Sequence, residues 1–198
     1  MKRGIGKAAI ERRSRACTPN SSHYEITNNL VSSYEGPIMT SREFYLERRR
    51  AENPVFLRLA KALPPDRIDY RPHERSPSAE QIMWTMTNEL RSCLMVVTQN
   101  RGEWNTEPPP PFAEMLGLFE QWLSELVDGV EKLDDASWDR VAKFYVNGKV
   151  VNEMPVGQFL WYILFDAIHH RGQLSAYLRP MGGKVPAIYG PSADSRSS

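Results

Sequence analysis

FLWYILFDAIHHRGQLSAYLR, residues Phe159 to Arg179, is an oily helix with one polar stripe. Leu160, Trp161, Ile163, Leu164, Phe165, Ile168, Leu174 and Leu178 cover well over half of its circumference. At about 100° per residue, Tyr162, Asp166, His169, His170, Gln173 and Tyr177 share a sector of roughly 100°. Such a stripe faces either water or a polar pocket inside the fold. Asp166 and His170 stand one turn apart, so both side chains can reach one atom.

Immediately upstream, Val141–Val146 and Lys149–Met154 flank Asn147-Gly148, which reads as a hairpin on a type I′ turn. Pro155 closes it and the last helix begins. Downstream, Pro180 and Gly182-Gly183 end that helix, and Lys184 to Asp194 reads as an extended strap packed back by Val185, Ile188 and Tyr189. Three more helices precede the hairpin. The first opens on a capping box, Thr40-Ser41-Arg42-Glu43, and is expected to kink at Pro54 before Leu63-Pro64-Pro65 stops it. Ser76-Pro77 reads as the N-cap of the second, about Ser78 to Gln99, ended by Arg101-Gly102. Its polar line is Thr85, Glu89, Ser92 and Cys93. The third, about Phe112 to Leu133, spaces Met115, Phe119, Leu123, Leu126 and Val130 for burial. The sum is an all-α class: a four-helix bundle with a small hairpin before the last helix and a C-terminal strap.

Composition sets the outer limits. A net charge of +1 over 198 residues argues against a generally cationic nucleic-acid binder. No apolar run approaches the ~18 residues of a membrane span, and the basic start lacks a signal-peptide core, so no membrane partner is expected. Cys17 and Cys93 supply no disulfide framework, which fits a reduced cytoplasm. Residues 1–38 carry six Lys or Arg against Glu11, Glu25 and Glu35 and read as a poorly ordered basic extension, with residues 39–198 as the domain. A basic arm is one alternative there, and Met39 as the true start is another.

His169-His170-Arg171-Gly172-Gln173-Leu174-Ser175, with Tyr177-Leu178-Arg179 and Gly182 to Ser192 (GGKVPAIYGPS), closely resembles the C-terminal signature of the DinB-like proteins. That superfamily includes YfiT-like metal-dependent hydrolases and relatives acting with bacillithiol or mycothiol. The resemblance runs from about Thr40 to Asp194, taking in Tyr70-Arg71-Pro72-His73 and Ser78-Ala79-Glu80. It implies a four-helix bundle, often a homodimer, with a divalent ion of zinc or nickel type held by three histidines. One of these lies on the second helix and two lie four residues apart on the last. Here only His170 keeps that pattern; Asp166 stands four residues before it and Thr85 at the second-helix position.

Asp166, His170 and Thr85 are therefore the candidate metal ligands, with Glu89, one turn from Thr85, completing the shell in place of Thr85 or acting as the general base. The substrate would be a small molecule, with a low-molecular-weight thiol as one class. Against this stand plainer readings: Asp166 and His170 as a hydrogen-bonded pair bridging helices, partnered by Arg171 or Tyr162, and Glu89 bridged to Arg171 or a lysine. The corresponding function is a non-catalytic dimer that kept the fold and lost the metal. Cys93 reads as a core thiol, His73 as a connector residue, and Trp84, Trp122 and Trp161 as core.

Overall fold

The computed structural model describes residues 39–195; the extension expected over residues 1–38 lies outside them. Helix α1 spans Ser41–Lys61 and opens on the expected box: Glu43 N–H donates to the Thr40 hydroxyl at 3.2 Å, and the Thr40 N–H to the Glu43 carboxylate at 2.7 Å. The helix runs through Pro54.

Helix α2, Ala79–Gln99, is capped by Ser78 and not by Ser76. Ser78 makes the reciprocal pair with Gln81 three residues on, a partner that position 76 lacks in the helix. Asn100 ends α2 in the left-handed region (φ 57°), its N–H donating to the Val96 carbonyl. The chain then turns straight into β1, Arg101–Glu103, where the sequence had suggested only a stop.

Helix α3 covers Phe112–Glu131, and a short α4, Asp135–Asp139, follows on an Asp134 cap. β2 (Val141–Val146) and β3 (Lys149–Pro155) form the expected hairpin; Asn147 (φ 50°) and Gly148 (φ 72°) supply the two positive φ angles that a type I′ turn requires. The hairpin is joined by β1, which pairs parallel with β2, so the sheet has three strands in the order β1-β2-β3. A bulge at Phe144/Tyr145 interrupts the β2–β3 register.

Helix α5, Val156–Leu178, starts directly from β3. Gly157 makes that junction possible, because a Cβ there would fall about 2.2 Å from the Trp138 indole. α1 packs on α3 and α5, and α2 also packs on α3 and α5, which closes a four-helix ring. Phe56, Ile82, Met86, Met115, Phe119, Leu126, Leu164 and Leu174 fill it. Trp84, Trp122 and Trp161 are only partly buried around this core, and Trp138 of α4 is the deeper tryptophan at 6% exposure.

The strap packs back as expected. Val185 and Ile188 lie against the core, and the Asp194 carboxylate accepts from Arg179 and from the Val185 N–H.

Candidate functional site

On α2 the spacing of Thr85, Glu89 and Ser92 puts three polar side chains on one face, and that face meets the stripe of α5. Glu89, Asp166 and His170 each bring one ligand atom to within 4.8 Å of the others. His170 Nε2 lies 3.9 Å from Glu89 Oε1 and 3.8 Å from Asp166 Oδ1. Glu89 is buried, His170 is mostly so, and the Asp166 side chain keeps 41% of its exposure.

The imidazole is oriented from behind. Its Nδ1 lies 2.9 Å from the Gln173 Oε1. An amide oxygen only accepts, so Nδ1 donates to it, and the ring is held with Nε2 facing the two acidic side chains. Burial, reinforced by the Asp166 carboxylate, pushes the Glu89 carboxyl up to about 9, while Arg49 pulls weakly the other way. Glu89 Oε2 is buried with no hydrogen-bond partner among the described residues, as are Nε and Nη2 of the buried Arg49. Both side chains line a small internal cavity beneath the group. An uncompensated buried carboxylate is costly unless a cation or proton meets it, so the donor set fits a divalent cation of the kind that accepts carboxylate and imidazole together.

A recess of about 180 Å³ opens beside Glu89 and Asp166 of the group, with His170 outside its lining. Thr85, Glu89, Ser92 and Asp166 line it with polar atoms, and Trp104, Phe144, Tyr162 and Ile163 with apolar surface. Thr85 thus stands beside the group, with its hydroxyl proton given to the Gln81 carbonyl at 3.0 Å. Of the aromatic lining only Tyr162 stands out in the sequence, on the polar stripe; Trp104 and Phe144 do not. Trp104 is there because β1 folds back along α2, held by the Ser92 hydroxyl donating to the Glu103 carbonyl at 3.0 Å. A wider groove of about 440 Å³ between α1 and α3 carries no such ligand group.

Arg171 is not the partner of Glu89, nor of Asp166 and His170. It is buried at 1% exposure on the neighbouring face of α5 and bonds Glu52 of α1 and the hydroxyl of Tyr189 in the strap. That hydroxyl donates in turn to Glu52 Oε1 at 2.9 Å, and the guanidinium lies against the Phe56 and Tyr189 rings. Glu52 satisfies the arginine first, because the α1 face that carries it packs directly on α5. His169 is exposed, and His73 accepts from the Arg75 N–H in its connector. Cys93 is buried at 1%, with its thiol pushed up to about 12 by burial, so it is packing and not a nucleophile.

A four-helix bundle with two carboxylates and an imidazole gathered between facing helices defines a helical-bundle protein of the kind that builds ligand sites in its core. The chain belongs to the DinB family, whose model matches residues 39–196. In structure it is similar to a DinB-like protein, YjoA, from Bacillus subtilis (TM-score 0.58, 20% identity, 75% of this chain and 99% of that one). A DinB-like protein from Bacillus cereus is similar to the same degree (TM-score 0.61, 18% identity, 74% and 97%). At such identities the likeness establishes the fold alone. In sequence it is 40% identical over 42 residues to the uncharacterized protein YrdA of Bacillus subtilis, a match that spans 21% of this chain and 25% of that relative. Among the described residues, no helix is long and apolar enough to cross a membrane.

Proposed function

We propose that this chain is a metal-dependent enzyme of the hydrolase or thiol-transferase kind, in which Glu89, Asp166 and His170 hold one divalent cation with Thr85 beside them. The observation that carries the reading is the convergence of three ligand atoms from two helices within 4.8 Å. When bound, the cation supplies Lewis acidity toward a carbonyl or a thiol. The chain's own residues do the remainder. Gln173 orients the His170 ring through Nδ1, the Asp166 carboxylate, joined by Glu89 as it gives up its proton, attracts a cation, and the aromatic lining limits water around the group. A small-molecule substrate, with low-molecular-weight thiols as one class, enters past Tyr162. Two oxygens and one nitrogen from the protein leave room for such a ligand, and zinc tolerates this mixed set best, with nickel next.

Titration of chelator-treated, untagged protein with zinc and with nickel tests the reading. One equivalent is expected to bind. His170→Ala should weaken binding by about a hundredfold or more, and Gln173→Leu by roughly tenfold through loss of imidazole orientation. Absence of uptake at millimolar metal would leave the alternative, a non-catalytic dimer that retains only the fold, a role compatible with the Thr85 hydroxyl already being bonded to Gln81.

The homodimer is part of the same proposal. Phe44 and Phe165, at 47% and 62% exposure, flank Trp161 with Met39 on one open apolar surface, the kind of patch that a second copy would cover. A single monomeric species in sedimentation equilibrium at tens of micromolar would end that part.

A further inference from the structure

We infer that the recess beside the Glu89–Asp166–His170 group selects a compact, flat apolar group about the size of a benzene ring, carried on a head that bears an oxygen or sulfur donor. The inference rests on the metal reading for what the head meets, and on the recess itself for what the body meets.

Size comes first. At about 180 Å³ the recess slightly exceeds the ~150 Å³ apolar cavity that admits benzene. It falls well short of the roughly 300–1,000 Å³ that encloses a drug-sized ligand. A tripeptide-sized thiol would enter by its sulfur end only, with its body lying across the rim at Tyr162, which is 63% exposed.

Chemistry then fixes the orientation. Trp104, Phe144, Tyr162 and Ile163 supply the apolar lining, and Glu89 and Asp166 are the only acidic side chains in it. A ligand therefore turns its polar end to these two groups, or to a cation held there, and its apolar body to the rings.

Part of the lining is also preformed. The backbone of Trp104 is tied to β2 by its main-chain N–H donating to the Tyr145 carbonyl at 2.9 Å, and the Phe144 ring packs on Phe159 at 5.4 Å between ring centroids. Anchoring of this part of the lining lowers the ordering entropy that a ligand must offset.

Two probes on the full chain separate body from head. In metal-free protein, phenol, a neutral donor that the Asp166 carboxylate accepts, should bind and shift the Trp104 indole signal in NMR spectra; Trp104→Ala should weaken it at least tenfold. In zinc-loaded protein, benzohydroxamate should bind about thirtyfold tighter than acetohydroxamate, and 4-phenylbenzohydroxamate should lose that advantage. Trp104→Ala should compress the ratio to about threefold, with zinc still bound at one equivalent and an unchanged circular dichroism spectrum to show the fold and the ligand group intact. Equal affinities for the two smaller hydroxamates, or phenol binding indifferent to Trp104→Ala, overturn the assignment. If zinc is not taken up but phenol still binds at Trp104, only the metal reading fails. If zinc is taken up and phenol does not bind, only this inference fails.

Discussion

Arg171→Met should lower the unfolding free energy by about 3–5 kcal/mol, the usual consequence of removing one partner from a buried ion pair. For a domain of this size that is a fall in Tm of about 10 °C, at roughly 2–4 °C per kcal/mol. The loss has three sources. Glu52 is left at 6% exposure with a charge and only the Tyr189 hydroxyl to meet it. The strap loses one of its bonds to the core. The contact of the guanidinium with the Phe56 ring, 4.7 Å to the centroid, also goes. Tyr189→Phe, which leaves the ion pair in place, should cost only about 1 kcal/mol. The double variant Glu52→Leu/Arg171→Met should recover most of the loss, since an apolar pair of similar volume needs no compensation. Urea denaturation of the four proteins measures the ordering. An Arg171→Met chain that unfolds at the wild-type midpoint would show that the pair contributes nothing.

The second large effect depends on pH. With burial holding its folded-state pKa near 9 against an ordinary 4.5, Glu89 of the metal-free protein is protonated when folded and ionised when unfolded throughout that interval. The native state then binds one more proton than the unfolded state, so stability falls as pH rises from about 4.5 toward 9. The contribution is fully present below 4.5 and fully lost above 9. By pH 7 the loss amounts to about 3 kcal/mol, at about 1.4 kcal/mol per pH unit. Glu89→Gln removes the titrating group and keeps its shape. Metal-free Glu89→Gln should therefore be more stable than the parent above pH 5, by a margin that grows with pH. Thermal melts from pH 5 to 9 with a chelator present decide this: parallel curves for the two proteins would mean that Glu89 does not carry the proton.

The parts of this molecule that obey local rules were legible in its sequence. The Thr40 box, the Asn147-Gly148 turn and the helical periods each involve residues within a few positions of one another. Asp166 and His170 belong to the same group, one turn apart on one helix. Glu89 and Thr85 needed more, namely the assumption that the second and last helices face each other, which the resemblance to DinB-like proteins supplied and the packing of α2 on α5 bears out.

What sequence did not reveal depends on distances between elements. β1 is three residues long and pairs with a strand about forty positions later, so neither length nor pattern announces it; Trp104 and Phe144 as lining were missed with it. Glu52 and Glu89 are both helical carboxylates, and nothing in the order of residues says which one Arg171 meets. Arg49 reads as one more charge on a basic stretch of α1, yet it is 2% exposed. Ser76 lost the cap to Ser78 because the reciprocal Gln81 sits at the right interval only for the latter.

The Glu52–Arg171–Tyr189 cluster also bears on how the chain emerges from a ribosome. Glu52 waits 119 residues for its arginine and 137 for its tyrosine. At about 5–20 residues per second that is roughly 6–25 seconds during which a carboxylate destined for the interior has no counterpart. Arg171 sits on α5, so Glu52 gains its charged partner together with the helix that completes the four-helix ring.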